Sequence, residues 1–139
     1  MNSTEIYFKV VDSADRFGAA NPQQLEFLCS VLSKCESDAL SVALIDVFAK
    51  CGVIKTSFER QELAGRILEK LKPKCFLVLT DIIRSTISHW DVSVEQFPRY
   101  LAHVYGKAIL IVALENKLEN ESDEKIKHAL KTMRWWIGE

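Results

Sequence analysis

The residues of this 139-residue chain whose types could do chemistry are three histidines, four cysteines and a few carboxylates set among apolar neighbours. His89, His103 and His128 fall on different expected helices, so a Cys–His or His–carboxylate pair would have to assemble in space rather than along the chain. His103 lies between Ala102 and Val104 and is expected to be partly buried and structural. Cys29, Cys35, Cys51 and Cys75 contain no C-x-x-C pair and have no histidine at zinc-finger spacing. Each sits among apolar residues, where a thiol behaves as a small hydrophobe, so all four are expected to be buried and reduced, with no bound metal. Gly-rich phosphate loops, H-E-x-x-H, G-x-S-x-G and carboxylates at ligand spacing are absent. No catalytic, cofactor-binding or metal-ligating residue is assigned, and the chain reads as a non-enzyme.

Two carboxylates stand inside the most apolar expected helices, where an unpaired charge would be costly. Asp46 has Lys50 four residues on and Asp81 has Arg84 three residues on, which places each pair on one helix face. The competing reading is an acidic hot spot or a pair lining a groove.

Charge is nearly balanced overall, with 18 Lys plus Arg against 19 Asp plus Glu, so no global field points to nucleic acid or an anionic membrane. Along the chain it is uneven: residues 1–52 hold seven acids and four bases, and residues 53–106 six acids and eight bases. Lys70, Lys72 and Lys74 lack the interleaved aromatics that stack nucleotides. The acidic first third suits a basic protein partner, and Asp12, Asp15, Glu26, Glu36 and Asp38 are its candidate contacts. Trp135 and Trp136 are adjacent, so one helix cannot bury both in the same direction. Either Trp136 and Met133 complete the core while Trp135 covers a loop, or Trp135 anchors a partner.

These residues must be positioned by helices. Asn21-Pro22 reads as a cap with proline at the first helical position, and Leu25, Leu28, Leu32 and Cys35 follow on one face to about residue 35. Ser37-Asp38 opens a helix whose wide stripe, Leu40 to Cys51, makes it central and which Gly52 ends. Thr56 and Glu59 have capping-box spacing ahead of Leu63, Ile67, Leu68 and Leu71. Pro73 is expected to start another central helix that buries Phe76, Leu77, Leu79, Ile82, Ile83 and Ile87. Ser93 to Gln96 is a second capping box, but Pro98 follows closely, so a short turn and then a helix to Tyr105 are expected. Gly106 separates that helix from one over 108–118, and Ser122-Asp123-Glu124 places a cap and two acids at the start of the last, which runs to about Trp136.

No stretch alternates as a strand does, so the class is all-α: a single helical domain over 1–139 with about seven or eight helices. Alternate helix starts recur at about 35 residues, the length of a helical hairpin repeat. Stacked antiparallel hairpins are favoured over an irregular bundle. The apolar stretches from Cys75 and from Ala108 fall short of the roughly 20 residues a membrane span needs, and charges interrupt the N-terminus where a secretion signal would be apolar. A cytoplasmic location is expected.

The stretch Trp90-Asp91-Val92-Ser93-Val94-Glu95-Gln96-Phe97-Pro98-Arg99-Tyr100-Leu101, with Gly106 behind it and Trp135-Trp136 at the end, resembles a pattern in small bacterial HEAT-like all-α proteins. Such proteins are often partners of secreted toxins. The resemblance covers about the last 50 residues of the chain and departs from ordinary HEAT repeats, because Pro22 and Pro73 do not recur at equivalent positions and the inner-helix Asp and Arg pattern is missing. It implies a binder that neutralises a toxin, as an immunity protein does; the acidic first third makes a basic toxin domain the expected partner, and the missing motifs leave no cofactor expected. It carries over no functional residues. The alternative is a small ligand carrier or enzyme with a pocket between helices, using His103, Tyr100 or Asp81.

Overall fold

A computed structural model of the chain describes residues 1–50, 52 and 54–138. Cys51, expected to close the stripe of the second helix, lies outside the described residues. Eight α-helices and no strands occur among the described residues: α1 Ser3–Phe17, α2 Pro22–Leu32, α3 Ser37–Ala49, α4 Ser57–Leu71, α5 Leu79–Thr86, α6 Gln96–Tyr105, α7 Lys107–Glu119 and α8 Glu124–Trp136. None is long and apolar enough to cross a membrane.

No helix is expected before Pro22, yet α1 is one of the best anchored. Asn2 accepts from the Glu5 N–H at 2.9 Å and the Glu5 carboxylate accepts from the Asn2 N–H at 2.9 Å, so two orphan donors of the first turn are satisfied reciprocally. Ile6, Val10, Val11 and Ala14 then bury one face. In α2, Asn21 caps and Pro22 occupies the first turn as expected, but the helix stops at Leu32. The stripe of α3 is buried from Leu40 to Phe48.

The two expected capping boxes do not form. Thr56 stands at the N-cap of α4 with φ −99° and ψ 14°, outside the extended conformation that a capping side chain needs, and makes no side-chain cap bond. At the second, Asp91 takes both the N–H and the hydroxyl of Ser93, and α6 begins only at Gln96. Pro98 then falls third in the helix, where its missing N–H has no intrahelical acceptor to lose.

The larger correction concerns Pro73, which does not start a helix. Lys72 closes α4 in the left-handed conformation at φ 44°, and residues 73–78 run on as a non-helical strap. The Tyr100 hydroxyl donates to the Pro73 carbonyl and the Tyr105 hydroxyl to the Leu77 carbonyl, both at 2.5 Å, taking acceptors that a helical ladder would need. Phe76 and Leu77 are therefore exposed rather than buried. The helix that follows, α5, is not central: it buries Leu79, Ile82, Ile83 and Thr86 against α3 and α7, with Asp81 and Arg84 outward.

Helices pack on their second neighbours throughout. Odd-numbered helices stack α1 on α3, α3 on α5 and α5 on α7, while α2 on α4, α4 on α6 and α6 on α8 make a second layer. Stacked hairpins would generate this pattern, and the core between the layers is one continuous cluster. The turn after α5 is pinned by side chains: Trp90 Nε1–H donates to the Val94 carbonyl at 3.0 Å and Trp136 Nε1–H to the Val92 carbonyl at 2.7 Å. Trp136 and Met133 thus serve the core, as one of the two readings has it.

Candidate functional site

A furrow of about 780 Å³ runs along the outer face of α1. Its apolar lining is Met1, Tyr7, Phe8 and Val11, and its charge comes from Glu5, Asp12 and Asp15 against Lys9 and Arg60. Phe8 is 61% exposed and stands edge-on to Tyr7, with ring centres 5.3 Å apart at 82°. The Lys50 ammonium lies 5.7 Å from the Tyr7 ring centre, and Lys9, which also lines the furrow, lies 5.9 Å from that of Phe27 in α2. Solvated aromatic rings beside charged groups on a rigid helix suit the packing of a protein partner.

Asp15 is held from α4. Arg60 grips it in a fork, Nε to Oδ1 at 2.9 Å and Nη2 to Oδ2 at 2.7 Å. The guanidinium's hydrogen bonds hold the carboxyl below its ordinary value of 3.8, against an opposing push from partial burial. Because the folded pKa is depressed, this contribution is complete above about pH 4 and is lost as pH falls through the folded value. With side chains 35% and 21% exposed, solvent screening limits it to about 1 kcal/mol or less. Replacing Asp15 with Asn is expected to lower the urea midpoint slightly at neutral pH and to bring variant and parent together in acid.

The five candidate acids do not converge. Asp12 and Asp15 share the furrow, but Asp12 pairs with Arg16 at 3.1 Å, so much of the expected acidity is neutralised locally. Glu26 lies beside Phe27 in a shallow depression of about 400 Å³ on α2. Glu36 occupies the N-cap position of α3 without a side-chain cap bond and Asp38 stands in its first turn, positions where a carboxylate suits the helix dipole. Trp135 is 66% exposed, but it is carried by α8, which packs on α6 and α7 at the far end of the stack. Tyr7, Phe8, Phe27 and Arg60 had no place among the expected contacts. A phenylalanine lying off the Ile6–Val10–Ala14 stripe was the available signal for Phe8.

The residues suggested for an inter-helix pocket are otherwise employed. Tyr100 spends its hydroxyl on Pro73, and burial pushes that hydroxyl well above the usual phenol range. Asp81 pairs with Arg84 at 3.0 Å, as Asp46 does with Lys50 at 3.2 Å. His103 is exposed rather than partly buried, at the open edge of the cleft between α4 and α6, and His89 and His128 are exposed on other elements. Cys29, buried, and Cys35 and Cys75, both half-buried, are free thiols, so burial is less complete than expected. No three potential metal ligands gather among the described residues.

The class defined so far is an all-α, two-layered helical stack with an aromatic furrow on its first helix. Comparison with known proteins gives no matching family model, no similar curated protein and no similar solved structure.

Proposed function

We propose that the chain is a non-enzymatic cytoplasmic binding protein that neutralises a toxin as an immunity protein does, receiving a basic segment of that partner along α1. The observation that carries this reading is the furrow itself, with the solvated ring of Phe8 in line with Asp12 and Asp15. An apolar side chain of the partner would cover Phe8 while its cations meet Asp12 and the outer edge of Asp15.

The test is association with the product of an adjacent toxin gene. Phe8→Ser combined with Asp12→Lys is expected to slow association, flatten its salt dependence and remove protection of cells, with stability kept within about 0.5 kcal/mol per site. Asp15 is left intact in that variant, because reversing it would also break the link to Arg60. Full protection by the variant would refute the furrow as the contact. Failure to recover any protein partner would refute the binding function.

A further inference from the structure

Among the described residues, the most exposed large apolar side chain lies far along the chain from the furrow, on the strap between α4 and α5. Phe76 is 72% exposed, and Leu77 and Val78 follow it at 38% and 60%. Three consecutive apolar residues are thus presented to water by a segment that belongs to no helix. The strap is not slack: Tyr100 fastens it at Pro73, Tyr105 fastens it at Leu77, and the Cys75 thiol lies 3.3 Å from the Tyr105 hydroxyl. Its apolar tips are held outward with little conformational entropy left to lose on binding.

The recess at the base of the strap is lined by one sign of charge. A cavity of about 320 Å³ opens beside Phe76, and its only ionisable lining besides Cys75 is Lys72, Lys74 and His103. Lys72 and Lys74 are exposed, with no ion pair among the described residues. Glu69 lines the adjoining cavity, which Lys72, Arg99 and His103 also line, and Asp81, three residues after Val78, is paired with Arg84 at 3.0 Å. The strap therefore combines protruding apolar tips with a cationic recess at their base.

We propose that the strap docks the protein on an anionic phospholipid surface, with Phe76, Leu77 and Val78 entering the acyl boundary and Lys72 and Lys74 meeting headgroup phosphates. A bilayer interface has this order of chemistries with depth, and one apolar insertion joined to a few basic residues gives reversible attachment. Protrusion favours lipid over a peptide, which would need a groove to lie in. Near-neutral net charge is no obstacle, because headgroups sense charges within about a Debye length of the surface, roughly 8 Å at physiological salt. This inference is independent of the α1 furrow.

Co-sedimentation of the full chain with vesicles tests it. The parent is expected to bind phosphatidylcholine vesicles containing phosphatidylglycerol, to ignore pure phosphatidylcholine, and to release as salt rises. Phe76→Ser should weaken binding by about tenfold, the loss expected when a phenylalanine is no longer buried. Lys72→Gln with Lys74→Gln should weaken it by at least about tenfold. Both variants alter exposed side chains and should keep the parent's melting temperature, while Trp135→Ser should bind as the parent does. Equal binding to both vesicle types, no binding by the parent, or indifference to Phe76→Ser would overturn the proposal. So would displacement of the His103 ring resonances by inorganic phosphate in a chain that leaves vesicles alone, which would make the recess an anion pocket only. A soluble protein captured through Phe76 by a chain that does not bind vesicles would likewise reassign the strap.

Discussion

Replacing Phe97 with alanine is expected to remove about 3–5 kcal/mol of folding stability, the largest loss from any single truncation considered for this chain. Phe97 of α6 and Phe48 of α3 are both fully buried, and their rings stack with centres 4.2 Å apart and planes 15° from parallel. One ring comes from each layer of the stack, so the pair ties the odd-numbered helices to the even-numbered ones. Removing either ring forfeits its transfer free energy and leaves a void that neighbours held by helix packing cannot fill. For a domain whose whole stability is of order 5–15 kcal/mol, the variant should be largely unfolded in mild urea, with the slope of the transition unchanged. A double-mutant cycle with Phe48→Leu and Phe97→Leu should return a coupling of about 0.5–1.5 kcal/mol for the stacked rings themselves. A loss below about 1 kcal/mol for Phe97→Ala would mean that the layers are not joined at this point.

The furrow and the strap differ from the core in how far their sequence signals reach. The stripes of α3, α4 and α8 are local, and Leu40, Leu63 and Met133 are buried where helical spacing puts them. The first helix was equally local, since Asn2 and Glu5 have capping spacing, but charges at Glu5, Lys9, Asp12, Asp15 and Arg16 obscured the narrow stripe behind them. The strap was not local. Pro73 is an acceptable first helical residue, and only tyrosines 27 and 28 residues further on take the carbonyls that decide against a helix. The furrow's charge depends on a partner 45 residues away, because Arg60 reaches Asp15 only once α4 has packed on α1. Counting acids along the first third therefore overstates how acidic that face is.

The second large effect is expected at Gln61, whose chemistry was hidden for the same reason. Gln61 is 1% exposed in α4, and its amide serves two backbone groups of the turn after α5: Nε2–H donates to the His89 carbonyl at 2.8 Å, and Oε1 accepts from the Asp91 N–H at 2.7 Å. Gln61→Leu keeps the volume but leaves both backbone groups without partners, at a cost of about 2–4 kcal/mol if water does not reach them. Gln61→Glu separates this amide role from packing. As a carboxylate the new side chain still accepts from Asp91, but its second oxygen faces the His89 carbonyl, acceptor against acceptor, in a site that disfavours charge. When protonated it donates to that carbonyl and restores both bonds. Its folded pKa should therefore lie above the unfolded value of about 4.3, so relative to the parent the variant is most stable below that pH and loses ground as pH rises through the folded pKa. Urea midpoints of parent, Gln61→Leu and Gln61→Glu across this range should show the Glu variant approaching the parent in acid while the Leu variant keeps a constant deficit. Parallel curves for the two variants would show that the turn takes its hold from Trp90 and Trp136 and not from the Gln61 amide.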